Sequence, residues 1–427
     1  MDVRLGSVNL VSYLLQNAKK YASIVLLASG SSAALLMSFV RNLAIAGMMS
    51  LENYGAAATI LICVSFAEMF SNLGWHQLIV QNRDGDQTRF QSCLHGLTIL
   101  RGLLTALFLL VFGTQIAVIL GVPELVGAFQ LLALAPLMKG FEHLDIHRLT
   151  RHNKFWSLAA FKTIPIACAL LAVWPLMHVF DDYRIMLYSI LVQYAAGLAV
   201  SHLLARRAYR VIFDWQISRQ ALSFGWPLLI NNLLLFLVMQ GDRVVVSRTL
   251  GLEELALFSM GLTLVMAPSS ILSQSIASFF LPRLAALRSA PDRFTAMAHT
   301  TIQASLIASA ALVAGAYLIG RPLVPVLLSA DYAALGSLLV LLALGQALRG
   351  LTSGCATIAL SQGRTVEPMV ASIVRVLGLP VVWIAASRGA SIAELLWIMI
   401  AWELLSFLVA LAMVYTGLVR VRRGGLD

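Results

Sequence analysis

Charged side chains lie inside long apolar runs of this sequence, where a charge is costly. Arg41 follows one such run, and Arg243 lies in another, LLINNLLLFLVMQGDRVVV. A charge at the centre of a membrane-spanning helix costs about 2.5 to 3.5 kcal/mol on insertion scales, so such residues usually face a cavity or a partner. A guanidinium is always ionised and can donate two parallel hydrogen bonds to phosphate oxygens. The pattern therefore predicts an anion-binding site within a membrane, formed by Arg41 and Arg243.

Further polar side chains in these runs extend the predicted site. Arg248 follows Arg243 near the end of the same run, where it is either a weaker third anion contact or a side chain that reaches the membrane interface. Amides can donate hydrogen bonds to a polar ligand and accept them from it, although amides also hold helices together in membranes. We therefore predict the following substrate-binding residues: Arg41, Arg243, Arg248, Arg349, Arg375, Asn231, Asn232 and Gln240.

Three acidic residues in apolar runs, Glu68, Asp242 and Glu403, have two competing interpretations. Each is either a charge partner of an arginine or a carboxylate that couples transport to protons or sodium ions. As charge partners, Glu68 would pair with Arg41 and Asp242 with Arg243. Glu403 would pair with the two arginines of the later runs, Arg349 and Arg375.

Composition predicts the elements that carry these residues. Of 427 residues, 59% are hydrophobic and only 12% are charged, which lies far outside the range of soluble globular domains. In hydrocarbon each backbone polar group must be satisfied within its own segment, so mixed runs of Leu, Ala, Val and Ile predict helices. The predicted fold class is an all-α polytopic membrane protein.

Hydropathy in a window of about 19 residues predicts twelve spans separated by short polar breaks. No break is long enough for a soluble catalytic domain, so we expect a protein that is not an enzyme. The four cysteines stand alone and no histidine has metal-ligand spacing, so we expect no metal or other cofactor. The predicted spans begin near Ala22, Gly55, Cys93, Leu125, Phe155, Ile185, Ala221, Leu255, Thr301, Ala333, Pro368 and Ile392.

Basic residues recur in every second break, whereas the intervening breaks keep only Arg184 and Arg388. Because basic residues are enriched in cytoplasmic loops, both termini are predicted to lie in the cytoplasm. The net charge of +10 is not gathered into one patch, so nucleic acid is not an expected partner. Attraction to anionic membrane lipids is expected instead.

Two stretches of the chain match each other in part. VRNLAIAGMMSLENYG, residues 40–55, aligns with GDRVVVSRTLGLEELA, residues 241–256, so that Leu51 meets Leu252 and Glu52 meets Glu253. This match predicts an N-terminal six-helix lobe at residues 1–205, a cytoplasmic linker at 206–220 and a C-terminal six-helix lobe at 221–427. Lobes of this kind are parallel repeats, and the substrate site of such transporters lies between them near the midplane.

Three stretches resemble the polysaccharide-biosynthesis flippases, the O-antigen and exopolysaccharide repeat-unit exporters of the multidrug/oligosaccharidyl-lipid/polysaccharide (MOP) superfamily. They are VRNLAIAGMMSLENYGAAATI, SNLGWHQLIVQ and QGDRVVVSRTLGLEELALFSMG. Gly74, Gln77 and Gln81 are placed as in the G-x-x-Q-x-x-x-Q-like pattern of that family. The resemblance implies a MATE-like MOP fold, in which two six-helix lobes alternate access to a central cavity.

The resemblance also implies a substrate. In that family a polyprenyl-pyrophosphate-linked oligosaccharide, of the undecaprenyl-diphosphate type, crosses the cytoplasmic membrane for O-antigen, capsule or exopolysaccharide biosynthesis. Its implied partners are this lipid-linked oligosaccharide, the membrane lipids, a polysaccharide polymerase and the export machinery. Coupling to protons or sodium ions stays open.

Two other functions are weighed against this one. A cation-coupled exporter of small molecules has the same fold, but it needs a cavity of net negative character, whereas the charges within these spans are mostly arginines. A membrane-embedded glycan polymerase or ligase carries a large external loop with charged catalytic residues. No break on the predicted outer side offers such a loop.

Overall fold

Long apolar helices make up the part of the chain that a computed structural model describes, residues 32–422. Ten helices in this part are long and apolar enough to cross a membrane, and the described residues contain no strand. An eleventh span is broken, since Pro123–Gly140 and Asp145–Arg151 are bent by 46° relative to each other. The all-α prediction is confirmed.

The first half of the chain supplies nine of the described helices. Within it, Ser50 caps the second helix by accepting a hydrogen bond from the backbone N–H of Asn53 at 3.3 Å. Serine suits this position because its hydroxyl satisfies an N–H that has no partner inside the helix. The helices are α1 (described from Ser32 to Ala46), α2 (Leu51–Ser71), α3 (Trp75–Gln81), α4 (Thr88–Leu120), α5 (Val126–Leu131), α6 (Leu134–Gly140), α7 (Asp145–Arg151), α8 (Phe155–Met177) and α9 (Arg184–Leu204).

Residues 205–214 lead without helix into the second half, and the side chain of Asp214 caps the next helix through the backbone N–H groups of Gln216 and Ile217. A π-helical turn, Ala316–Gly320, joins two helices of this half. The helices are α10 (Trp215–Leu250), α11 (Leu252–Ala286), α12 (Pro291–Gly315), α13 (Arg321–Leu327), α14 (Leu335–Ser361), α15 (Val366–Leu377), α16 (Leu379–Ser387) and α17 (Ile392–Arg422).

The twelve predicted spans correspond to these helices with two differences. The start of the first span, near Ala22, lies outside the described residues, and its described part is the short α1. The fourth span, predicted near Leu125, is the broken one, because it ends as α6 at Gly140 before α7 starts at Asp145. Gly140 packs closely against Gly102 of α4, where side chains on either residue would separate the helices.

The centre of the fold is the crossing of α2 with α11. α2 begins at Leu51 and α11 at Leu252, the two residues that the internal match aligns. Tyr54 is 1% exposed and stacks edge-to-face on Tyr332, with ring centroids 6.3 Å apart. Gly55 allows the close approach, since a β-carbon there would lie 2.0 Å from the backbone oxygen of Leu252. The first and second halves of the chain therefore meet backbone to backbone at this glycine.

This close contact predicts that one added methyl group at Gly55 destabilises the protein. Gly55→Ala is expected to lower the free energy of unfolding by about 1 to 3 kcal/mol, the usual range for overpacking a tight interface. The measurement is thermal and denaturant unfolding of the purified protein in detergent. Gly127→Ala on α5 is the control, because a β-carbon at Gly127 meets no atom within 4 Å. Equal stability of the two variants would contradict the close crossing.

The connection at residues 205–214 is tied to the first half of the chain. Asp145 of α7 accepts a hydrogen bond from a backbone N–H of the connection, and two histidine rings contact its carbonyl oxygens. α10 begins at Trp215, so part of the predicted linker, 206–220, is helical. The three contacts are Arg206 N to Asp145 Oδ2 at 2.8 Å, His143 Nε2 to the Arg207 oxygen at 2.9 Å and His95 Nδ1 to the Arg210 oxygen at 3.0 Å.

Asp86 joins this connection to the loop before α4. Its Oδ1 accepts a hydrogen bond from Arg148 at 3.1 Å, and it lies 3.0 Å from the His152 ring and 3.5 Å from Arg207. The hydrogen bond with His152, together with that from Arg148, holds the pKa of the Asp86 carboxyl below its usual value. Stability from a carboxyl with a lowered pKa is present above its unfolded pKa of about 3.9 and disappears as pH falls through the folded pKa.

We therefore expect Asp86→Asn to unfold at a lower temperature than the wild type at pH 7. The difference is expected to vanish at a pH well below about 4, where the wild-type carboxyl is protonated as well. The measurement is the unfolding temperature of both proteins between pH 3 and pH 7. Asp84→Asn, on the same short turn but without a basic partner among the described residues, is the control. A difference that persists at low pH would contradict the ionic role of Asp86.

Candidate functional site

Arg41 is buried on α1 without a carboxylate partner among residues 32–422. The side chain is 5% exposed, and its Nη1 donates to the Gln193 Oε1 of α9 at 2.7 Å. Its Nε is buried without a hydrogen-bond partner. The predicted pairing of Arg41 with Glu68 is wrong, because Glu68 contacts Lys139 instead. The guanidinium thus keeps hydrogen-bonding capacity that the protein does not use.

Arg243 has a similar environment on α10. Its Nη1 donates to the Gln240 Oε1 at 2.9 Å, and Gln240 in turn donates to the Ser65 hydroxyl of α2 at 3.0 Å. The Nε of Arg243 is also buried without a hydrogen-bond partner. In the described part of the chain no carboxylate lies within ion-pair distance of Arg243, so the predicted pairing with Asp242 is wrong. An amide chain holds this arginine in place but leaves its charge unbalanced.

Tyr54 is a buried residue of α2, the helix to which Arg243 is joined through Gln240 and Ser65. Its hydroxyl donates to the sulfur of Met260 on α11 at 3.5 Å. Arg41 and Arg243 come from opposite halves of the chain, and Tyr54 lies where α2 and α11 join these halves. We call Arg41, Arg243 and Tyr54 the arginine site.

Asp242 belongs to a second cluster, which we call the ionic network. Its Oδ2 accepts from Arg349 Nη2 at 3.2 Å, while Arg349 Nε donates to Glu403 Oε1 at 2.5 Å. Arg375 Nε donates to the same carboxylate at 2.8 Å. The predicted pairing of Arg349 and Arg375 with Glu403 is confirmed. Two formal negative and two formal positive charges cancel, so the network as a whole offers no free charge to an anion.

Glu68 forms a third cluster in the first half of the chain. It accepts from Lys139 of α6 at 2.6 Å and from the Tyr194 hydroxyl of α9 at 2.7 Å. Lys139 lies within the broken span, where its side chain faces α2 and α9. From the sequence alone, Lys139 is assigned to the basic residues of a loop, because it lies just before the break. The geometry makes Glu68 a charge partner of Lys139.

The remaining predicted contacts are dispersed along α10. Asn232 donates to the backbone oxygen of Asn72 at 2.8 Å and so joins α10 to the end of α2, the structural role that amides often have in membranes. Asn231 is exposed on the surface of the bundle. Arg248 is exposed near the end of α10, beside Gly121. The structure thus brings Arg243 and Gln240 together, whereas Arg41 contacts Gln193 of α9. Asn231, Asn232 and Arg248 do not contact these residues in the described part of the chain.

Comparison with known proteins shows the family of this chain. A family model described as polysaccharide biosynthesis protein matches residues 44–337, more than half of the chain. The chain belongs to this family. Among curated relatives, the succinoglycan biosynthesis transport protein ExoT of Rhizobium meliloti (strain 1021) is 25% identical over 332 residues. That match covers 75% of this chain and 64% of ExoT, so it spans less than two thirds of the relative.

A second relative supports the same family. The amylovoran biosynthesis protein AmsL of Erwinia amylovora is 24% identical over 328 residues, which cover 71% of this chain and 80% of AmsL. Both relatives are named for polysaccharide biosynthesis. The resemblance predicted from the sequence is confirmed at the level of the family.

Solved structures confirm the fold of this chain. The inward closed lipid II flippase MurJ aligns with a TM-score of 0.74 at 13% identity, over 93% of this chain and 90% of MurJ. An inward-facing MATE family multidrug transporter of the MOP superfamily gives 0.73 at 12% identity, over 94% and 99% of the two chains. An outward-facing MATE structure gives only 0.57 at 12% identity, over 94% and 96%. The predicted MATE-like MOP fold is confirmed.

Proposed function

We propose that the protein is a flippase that moves a polyprenyl-diphosphate-linked oligosaccharide across the cytoplasmic membrane by alternating access. Family membership and fold support a transport role in polysaccharide biosynthesis. The observation that carries the proposed substrate is the arginine site. Arg41 and Arg243 are two charges without acidic partners among the described residues, and each has a buried Nε without a hydrogen-bond partner.

A diphosphate fits this site better than a cation does. Its oxygens can accept the parallel hydrogen bonds that guanidinium groups donate, and its charge offsets two positive charges that the described part of the protein leaves unbalanced. An organic cation would meet net repulsion at the same place. The charge balance of the site therefore favours the lipid-linked oligosaccharide over the cation-coupled small-molecule exporter.

The position of the site suits alternating access. Arg41 is on α1 and Arg243 is on α10, and these helices lie in opposite halves of the chain. A rocking motion of one half against the other would change the distance between the two guanidinium groups. In the proposed cycle both arginines hold the diphosphate in the inward-facing arrangement and separate when the substrate leaves. No covalent bond is made or broken in this cycle, so it needs no catalytic residue.

The proposal also covers the fate of the transported oligosaccharide and the driving force of its transport. With both termini in the cytoplasm, the oligosaccharide reaches the outer leaflet, where a polysaccharide polymerase and the export machinery would consume it. Glu68, Asp242 and Glu403 each have basic partners in the structure. Glu68 is the carboxylate proposed for proton or sodium coupling, because a change in its protonation would release Lys139.

The test is a strain from which the gene is deleted. Lipid-linked oligosaccharide is expected to accumulate and to stay protected from a membrane-impermeant glycosidase added to spheroplasts. The wild-type gene is expected to relieve the accumulation. Ionophores that collapse the proton or the sodium gradient test the coupling, and Glu68→Gln is expected to remove the sensitivity. Normal lipid-linked glycan together with altered resistance to organic cations would instead identify a small-molecule exporter.

A further inference from the structure

An apolar cavity of about 460 Å³ lies between α1, α11 and the segment from α12 to α13. Phe39 and Leu43 line it from α1, Leu264 and Pro268 from α11, and Leu323 from α13. The described side chains that line it are all apolar. Its volume falls in the range of about 300 to 1,000 Å³ that is typical of ligand pockets. A space of this size and lining suits an apolar group such as a lipid chain.

The local backbone creates this space. The π-helical turn Ala316–Gly320 interrupts the regular helix beside the cavity, and turns of this kind are frequent at functional sites. Gly315, directly before the turn, also lines the cavity. A β-carbon at Gly315 would meet no atom within 4 Å. The position of Gly315 is therefore open at the β-carbon, in the wall of the cavity.

The cavity opens toward the outer surface of the bundle. Two residues of its rim, Ile319 and Leu323, are 62% and 41% exposed, as expected for a groove that faces lipid. On the inner side its wall is α1. Phe39 and Leu43 are four residues apart and share one face of this helix, whereas Arg41 lies between them in sequence and points to the opposite face. α1 therefore separates an anion site from an apolar groove.

We propose that the cavity holds the isoprenoid tail of the lipid carrier while its diphosphate occupies the arginine site on the other face of α1. The inference rests on the proposed function and adds the tail-binding site to it. A lipid-linked substrate must keep its tail in hydrocarbon when its headgroup enters the space between the halves, so the tail has to leave beside a helix. α1 carries both required surfaces, one cationic and one apolar.

The test uses undecaprenyl diphosphate with a photoreactive diazirine in its tail, bound to the purified protein in nanodiscs. Crosslinks are expected within α12 and α13. Gly315→Leu is expected to weaken binding roughly tenfold, because the new side chain displaces about two methylene groups of the tail. Ala311→Leu, also in the cavity wall, is expected to act in the same direction. Thermal unfolding verifies that both variants are folded.

The controls separate the tail from the headgroup. Ala314→Leu adds the same side chain at an exposed position outside the cavity wall and is expected to bind like wild type. Geranyl diphosphate, with the same headgroup and a short tail, is expected to bind Gly315→Leu and wild type equally. Labelling in α12 and α13 is also expected to exceed that from phosphatidylglycerol with a diazirine in its acyl chain.

Three results would overturn the inference. They are crosslinks confined to helices that do not line the cavity, equal binding by Gly315→Leu and Ala314→Leu, and equal labelling by phosphatidylglycerol, which would show a general lipid groove. If geranyl diphosphate still binds in these cases and Arg41→Ala weakens its binding, the proposed function survives without the tail site. If neither diphosphate binds the wild-type protein, the proposed substrate and the tail site both fail.

Discussion

Replacement of Glu403 by alanine is expected to lower the free energy of unfolding by about 3 to 5 kcal/mol, the usual cost of removing one partner of a buried ion pair. Glu403 is 3% exposed and accepts hydrogen bonds from Arg349 and Arg375. Without its carboxylate, two positive charges lie close together with only Asp242 to offset them. The measurement is denaturant unfolding of the purified protein in detergent, followed by tryptophan fluorescence.

The control for this substitution lies on the same helix. Glu394→Gln removes an exposed carboxylate that contacts only Ser391, and the glutamine keeps an acceptor oxygen for it. We expect a change of less than about 1 kcal/mol, as for most surface positions. A double variant, Glu403→Gln with Arg375→Met, is expected to lose less stability than its two single substitutions combined, because they share one interaction. Strict additivity would contradict the ionic network.

Hydropathy was sufficient to predict the helices but not their interruptions. A window of about 19 residues averages over short polar groups, so it predicts one span near Leu125, where the structure has a helix that ends at Gly140 and another that starts at Asp145. Gly140, the last residue of α6 before this break, approaches Gly102 of α4 closely. Such a contact joins residues that are distant in sequence. It therefore cannot be predicted from the apolar pattern of one segment.

The sequence also predicts which charges are buried, but it predicts their partners poorly. Asp242 and Arg243 are adjacent in sequence, and the predicted pair is wrong because consecutive residues of a helix do not face each other. Asp242 faces α14 and contacts Arg349, whereas Arg243 contacts Gln240, one turn earlier on α10. Glu403 has two arginine partners because α17 packs against both α14 and α15. That packing is a tertiary property.

Some residues of the site carried no sequence signal. Tyr54 is an uncharged residue of an apolar run, and Gln193 lies in a span, α9, that contains no acidic residue. Both become significant only when α9 and α2 are packed against α1. In contrast, Arg41 and Arg243 are visible in the sequence, because a charge in an apolar run is unusual. Their role as anion contacts stays a prediction.

Arg243→Ala is expected to weaken binding of undecaprenyl diphosphate roughly 30- to 100-fold, the equivalent of one or two hydrogen bonds to a charged group. Arg41→Ala is expected to have a similar effect. Arg243→Lys keeps the charge but not the parallel pair of donors, so it should recover only part of the affinity. The measurement is equilibrium binding of the labelled diphosphate to purified protein in nanodiscs. Arg248→Ala, which alters an exposed arginine near the end of α10, is the matched control.

A measurement of stability distinguishes a ligand-binding role of Arg243 from a structural role. Glu403→Ala should destabilise the protein because it leaves charges without partners, whereas Arg243→Ala removes a charge that has no acidic partner in the described residues. The free energy of unfolding of Arg243→Ala should therefore stay equal to that of the wild type or rise. Weak binding with unchanged or greater stability would identify an arginine kept for its ligand. Loss of both properties would mean that Arg243 mainly supports the packing of α10 on α2.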